Sequence, residues 1–121
     1  MGYTIRFAHG PLLSVADVTG LAFADQAEDA LCEIERETKA HGAQFLLMNL
    51  LDVVGTMEPE DHRQMGVLAA RHLSHLKKVA SLVPVEKITH VSERAAQAEG
   101  MQLRVFVMLT EAMAWLTGGL E

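Results

Sequence analysis

A chain of 121 residues with a formal charge of −6 is sized for one core and too acidic for a nucleic-acid binder: one domain of this length buries roughly two-thirds of its unfolded surface, and surplus carboxylates repel phosphate backbones. Half of the residues are apolar but only four Phe, one Trp and one Tyr are present, so Leu, Val, Ala and seven Met must fill the interior, and Met makes such an interior adaptable. A lone Cys32 allows no internal disulfide, no apolar run approaches the roughly 20 residues of a membrane span, and neither a secretory nor, with Arg at position 6, a myristoylation pattern opens the chain; the cytoplasm is the expected location.

Tyr3, Ile5 and Phe7 alternate with polar neighbours, and His9-Gly10-Pro11 is strong turn punctuation. Leu12 to Ala16 then reads as the second arm of an antiparallel hairpin. After Gly20, the set Phe23, Ala27, Ala30, Leu31, Ile34 and Thr38 recurs at helical spacing and stops at His41-Gly42. The opposite face of that helix carries Asp25, Glu28, Asp29, Arg36 and Lys39.

Phe45 to Leu50 is a nearly continuous apolar run, the mark of a strand covered on both faces. Pro59 sits where a first helical residue belongs. The helix it opens aligns Met65, Leu68, Ala69, His72, Leu73 and Leu76 on one face. Val79 to Val83 reads as the next buried strand, ended by Pro84. Ile88, Val91, Ala95 and Ala98 line a third helix that stops at Gly100, Leu103 to Val107 forms the last strand, and Leu109, Ala112, Met113 and Leu116 line the last helix. The order is ββαβαβαβα over a single domain, residues 1–121, which predicts an α/β fold with a mainly parallel five-stranded sheet and right-handed crossovers.

This order, with Leu103-Arg104-Val105-Phe106, the Glu111-Ala112 step and Trp115-Leu116, resembles the SpoIIAA-like family within the wider STAS and Sec14-like group. The resemblance covers nearly the whole chain and implies a mixed sheet with an antiparallel edge strand and helices on both faces. Anti-sigma antagonists of that group carry an Asp-Ser-Ser-Gly type phosphoacceptor after the third strand. Here Asn49 to Glu58 contains no Ser, and Thr56 is the nearest hydroxyl. The SpoIIAA-like branch implies a non-enzymatic protein, with apolar ligand binding or membrane association as its suggested role.

Ligands of open α/β sheets gather beyond the carboxyl ends of the strands, which directs attention to Leu51–Glu58. A helix start at Pro59 offers free N–H groups for an anion, but Glu58, Glu60 and Asp61 already occupy that end and would repel phosphate. A phosphate on Thr56 would face the same three carboxylates.

His72 falls within an apolar stripe, where an imidazole requires a hydrogen-bonding partner; it reads either as a satisfied core histidine or as the polar handle of an apolar pocket. His72 and His75 are spaced to share a metal, but His62 lies roughly 15 Å away by helical rise, and no acidic ligand is near in sequence; no metal site and no cofactor are expected. Gln64, Arg71, His75 and Lys78 fall on one flank of the second helix, either a solvated face or a contact for anionic lipid. Cys32, one turn from three carboxylates, is a poor nucleophile.

The expected function is therefore a small non-enzymatic binding or regulatory domain. Its groove would lie between the second and third helices, with Met65, Leu68, His72, Leu76, Ile88 and Val91 as the lining for an apolar or lipid-like ligand or for peripheral membrane contact. The alternative is a protein-interaction switch in which Thr56 is the phosphoacceptor and a partner protein reads residues 53–58. An enzyme would have only His72 and Asp52 as base and acid. The apolar stretch Ser81 to Val91 also suggests a patch that a homodimer would close.

Overall fold

The computed structural model describes residues 3–21, 26–54 and 58–118. Its elements run β1 (Tyr3–His9), β2 (Leu13–Leu21), α1 (Ala27–Ala40), β3 (Phe45–Val54), α2 (Pro59–His72), β4 (Lys78–Leu82), a 3-10 turn (Val85–Lys87), α3 (Val91–Ala98), β5 (Leu103–Phe106) and α4 (Leu109–Thr117). The order is the expected ββαβαβαβα. The strands form one five-stranded sheet in the order β1-β2-β3-β4-β5, with β1 antiparallel to β2 and the rest parallel.

Sequential order has a consequence for the layers. Each crossover steps the same way across the sheet, so a common hand places α1, α2 and α3 on one face. There Leu31, Ile34, Ala69, Leu73 and Ala96 pack on Ala16, Leu46, Met48, Val79 and Leu103. α4 follows the last strand, has no crossover to complete, and packs Ala112 and Leu116 on Phe45, Leu47, Ala80 and Leu82 of the other face. The unbroken apolar run of β3 follows directly, since alternate residues serve opposite cores.

α1 buries Leu31, Ile34 and Thr38 as its spacing predicts; Phe23 lies outside the described residues. The helix ends where expected, with Gly42 at φ 65°, a conformation that glycine adopts without penalty.

Two helices differ from the sequence reading. α2 ends at His72 with Leu73 as its cap, so His75 and Lys78 leave the helical wheel and the basic flank does not form. Lys78 belongs to β4 and donates from Nζ to the carbonyl oxygen of Trp115, 2.9 Å away, at the end of α4. Ala69, Leu73 and Leu76 are buried as their spacing predicts, and Gly66 and Ala70 of α2 join them. α3 starts at Val91, leaving Ile88 outside it, and buries Ala96 while Ala98 is exposed. At the seam α2 and α3 meet through small residues, Gly66 lying against Ser92, Ala95 and Ala96, and glycine and serine add nothing to a hydrophobic period.

Candidate functional site

The parallel strands all end on one side of the sheet, and β3 runs past its neighbours there. Its pairing with β4 ends at Asn49 opposite Leu82, whereas its pairing with β2 continues to Val54 opposite Leu21. Between those points the register slips: Asp17 faces Asn49, but Thr19 faces Asp52, so β3 holds one extra residue. Such a bulge re-aims the side chains that follow it. Asn49 secures it, donating from Nδ2 to Asp17 Oδ1 at 2.8 Å and accepting from the Leu51 N–H at 3.1 Å.

Beside this tail lies a cleft of about 410 Å³, bounded by Leu50 and Val53 of β3, Pro59 and His62 of α2, Ile88 before α3, and Val91 at its start. A smaller cavity of about 110 Å³ reaches inward to Leu31, Met48, Met65 and Leu103. The two share Leu50, His62, Val83, Lys87 and Thr89 in their walls, so a single apolar groove leads from the surface toward the core. Lys87 Nζ donates to the Val53 carbonyl oxygen at 2.8 Å and ties the 3-10 turn to the β3 tail. The acidic start of α2 is self-occupied, with Asp61 Oδ2 accepting from the Glu58 N–H at 3.1 Å.

Large apolar side chains also stand exposed at this end of the molecule, Ile88 of the cleft among them. Among the described residues the large exposed hydrophobics are Leu51, Val54, Val85, Ile88, Met108 and Leu109, between 39% and 69% exposed. Leu51 and Val54 lie in the carboxyl-terminal part of β3, and the other four follow the carboxyl ends of β4 or β5. A concentration at one end, rather than a scatter over the surface, is the pattern of an interaction site.

The residues expected to line one groove are distributed. Met65 lines the inner cavity, and Ile88 and Val91 line the outer cleft. Leu68 packs at the margin of the core and Leu76 is buried within it. His72 sits between α2 and α1, where it contacts Glu35 and Glu28. Thr56 lies outside the described residues, between exposed Val54 and exposed Glu58. Asp52 is exposed on the β3 tail, on a different element from His72. Sequence reasoning missed His62 and Lys87, whose only linear signal is their place beside Pro59 and Pro84.

His72 has a specific electrostatic role. Its Nδ1 lies 2.9 Å from Glu35 Oε1 and its Nε2 3.1 Å from Glu28 Oε2. Hydrogen bonds to Glu35 and then Glu28 raise its pKa above the usual 6.5. Glu35 in turn is held below the ordinary carboxylate value by hydrogen bonds from Lys39 and His72. Exposed Cys32 has its Sγ 3.9 Å from the same imidazole. His75 differs: burial lowers its pKa, and its Nε2 meets Thr38 Oγ1 at 2.8 Å.

No family model matches the chain, and no curated protein sequence matches it. Solved structures do. An anti-sigma factor antagonist from Mycobacterium paratuberculosis superposes with a TM-score of 0.65 at 14% identity, over 95% of this chain and 94% of that one. The anti-sigma factor antagonist SpoIIAA in its unphosphorylated form gives 0.55 at 11% identity, over 95% and 97%. An uncharacterized protein with a SpoIIAA-like fold from Shewanella loihica gives 0.52 at 15% identity, over 95% and 93%. At these identities the likeness establishes the fold, and the chain has the SpoIIAA-like architecture.

Proposed function

We infer that this SpoIIAA-like domain performs no chemistry of its own and acts by presenting the carboxyl end of its sheet to a partner protein. The observation that carries this reading is the gathering of Leu51, Val54, Val85, Ile88, Met108 and Leu109 at that end. Leaving so much apolar area in water opposes folding economy, and burial against a partner recovers about 25 cal/mol per Å². Two of the similar structures bear the description anti-sigma factor antagonist, which favours a regulatory protein contact over a lipid cargo. Thr56, two residues after Val54 in the sequence, is the proposed phosphoacceptor; a phosphate there would add negative charge close in sequence to Glu58, Glu60 and Asp61 and weaken an apolar contact. The proposed setting is the cytoplasm.

The test places a photo-crosslinking residue at Val85 or Met108 in the producing cell. The reading expects a discrete adduct at both positions that disappears in the Val54→Asp, Leu109→Asp double variant. A crosslinker at exposed Lys77, at the opposite end of the sheet just before β4, should give none. Equal adducts at all three positions, or none at the rim, would overturn it; an adduct of twice the chain's own mass would identify a homodimer.

One observation favours a second reading, in which the groove holds a small apolar molecule: its walls are mostly Leu, Val, Met and Pro, with His62, Glu86, Lys87 and Thr89 as the polar groups of the outer cleft and Ser81 and Ser92 further in. Native mass spectrometry with added fatty acid tests it, and an unshifted mass would leave the protein-contact reading alone.

A further inference from the structure

At the opposite end of the sheet, three side chains from separate elements converge: His9 at the end of β1, Glu37 in the last turn of α1, and His41 at its cap. One donor atom from each lies within 4.8 Å of the other two. We propose that His9, Glu37 and His41 bind a single Zn²⁺ ion, with water completing the shell and the metal clamping the β1–β2 hairpin to the end of α1.

Four observations bear on the assignment; the first, second and fourth favour it, and the third sets what capture requires. First, tetrahedral bonds of 2.0–2.1 Å separate neighbouring donor atoms by about 3.3 Å, and His9 Nε2 already stands 3.3 Å from Glu37 Oε1. Second, His9 is oriented from behind. Its Nδ1 lies 2.7 Å from Ser14 Oγ, and Ser14 is buried. With Nδ1–H donating to that hydroxyl, the Nε2 lone pair faces the Glu37 carboxylate. That is the tautomer a metal would select, and a ligating histidine held through its other nitrogen is the usual arrangement at metal centres.

Third, the His9 ring lies between two neighbours, Phe7 at 5.8 Å and His41 at 3.5 Å between ring centroids, both nearly parallel to it. Stacked rings hold their nitrogens side by side rather than convergent, so capture requires His41 to turn about its side-chain bonds. Its exposed position leaves it free to do so. Fourth, the carboxyl terminus of a helix carries partial negative charge that favours a cation, and the α1 end lies here, its His41 N–H bonded to the Glu37 carbonyl oxygen. Two neutral imidazoles and one carboxylate suit zinc better than calcium or magnesium, which prefer oxygen.

The test is calorimetric titration of the full chain, stripped of metal, with Zn²⁺, alongside a Co²⁺ titration followed by visible absorption. The proposal expects one ion per chain, intense four-coordinate cobalt bands, and a rise in melting temperature with Zn²⁺ because the ion binds only the folded form. His41→Ala and Glu37→Gln, both at the surface, should each weaken binding tenfold or more, and Ser14→Ala should weaken it by about tenfold through loss of the orienting hydroxyl. His72→Gln should leave it unchanged. Absence of saturable one-to-one binding would overturn the proposal, as would a titration that His41→Ala leaves within twofold or that His72→Gln abolishes.

Discussion

His72 and His75 lie three residues apart and both reach α1, yet they favour opposite protonation states. His72 inserts between the carboxylates of Glu35 and Glu28, which favour the imidazolium. His75 meets the Thr38 hydroxyl in a drier setting, which favours the neutral ring. The Thr38 hydroxyl donates to the Ile34 carbonyl oxygen at 2.8 Å and is then free to accept from His75 Nε2–H. That tautomer leaves the buried Nδ1 with a lone pair instead of a stranded proton.

The two sites give opposite pH signatures. His72 has a folded pKa above 6.5, so its contribution is complete below 6.5 and is lost as pH rises through the folded value. Glu35, depressed below 4.5, contributes above 4.5 and loses that contribution as pH falls through its folded value. His72→Gln should therefore cost about 1 kcal/mol at pH 6, a charged hydrogen bond discounted for partial solvent access, and much less at pH 9. Urea unfolding at the two pH values measures it.

His75 runs the other way. Its depressed pKa means that the unfolded chain takes up a proton first, so stability falls as pH drops below 6.5 toward the folded value. His75→Gln should lower stability at pH 8 by about 1 kcal/mol through the lost Thr38 contact. It should also flatten the acid limb of the stability curve. Unfolding curves between pH 5 and pH 8 that stay parallel to wild type would refute this.

Gly66→Ala offers a test with an inverted sign. Alanine in place of glycine within an exposed helix ordinarily gains about 1 kcal/mol. Here a Cβ would overlap the Ser92 carbonyl oxygen and stand 2.8 Å from the Ala95 Cβ, and backbone cannot yield as a flexible side chain does. Overpacking of this kind costs about 1–3 kcal/mol, so α3 must separate from α2 and the melting temperature should fall. An unchanged or raised value would mean that the two helices do not approach so closely.

That contact also marks what was legible in the chain. The apolar run Phe45 to Leu50, the Pro59 start and the His41-Gly42 stop each report a local requirement of backbone or burial, and the layered fold follows from their order. Gly66 and Ser92 carry no apolar signal, so the α2–α3 seam is hidden: the spacing finds Ala69, Leu73 and Leu76 but not Gly66 and Ala70 beside them, and it selects Ala95 and Ala98 where Ala96 is the buried residue. The pattern places Lys78 on the helix because it does not reveal that Leu73 caps it. His9 and Glu37 are 28 residues apart, and only the pairing of β1 with β2 and the packing of α1 bring them together; no spacing rule could join them.

Glu93 guards the free edge of β5. Its Oε2 accepts from the Val105 N–H at 2.7 Å, while Gln97 Nε2 donates to the Leu103 carbonyl oxygen at 3.1 Å. Side chains of α3 thus occupy backbone groups that a second strand would otherwise pair with. Glu93→Ala should cost about 1–2 kcal/mol and promote concentration-dependent association in sedimentation. Glu93→Gln, which keeps an acceptor, should remain near wild type in association.

Asn49 is the test of how the rim is held. Its Oδ1 receives the Leu51 N–H and its Nδ2 reaches Asp17, so Asn49→Ala removes both ties at the bulge, at a cost of about 1 kcal/mol. The β3 tail from Leu51 to Val54 pairs only with β2 beyond this point, and local opening there should become more frequent. Hydrogen exchange of amides 51–54 should quicken several-fold while that of amides 46–48, central in the sheet, follows the global stability alone. Asp17→Ala keeps the Asn49–Leu51 bond and should quicken the same amides far less. If the two variants matched, the bulge would be fixed by strand pairing rather than by the Asn49 carbonyl, and the placement of Leu51 and Val54 on the rim would rest on the backbone register alone.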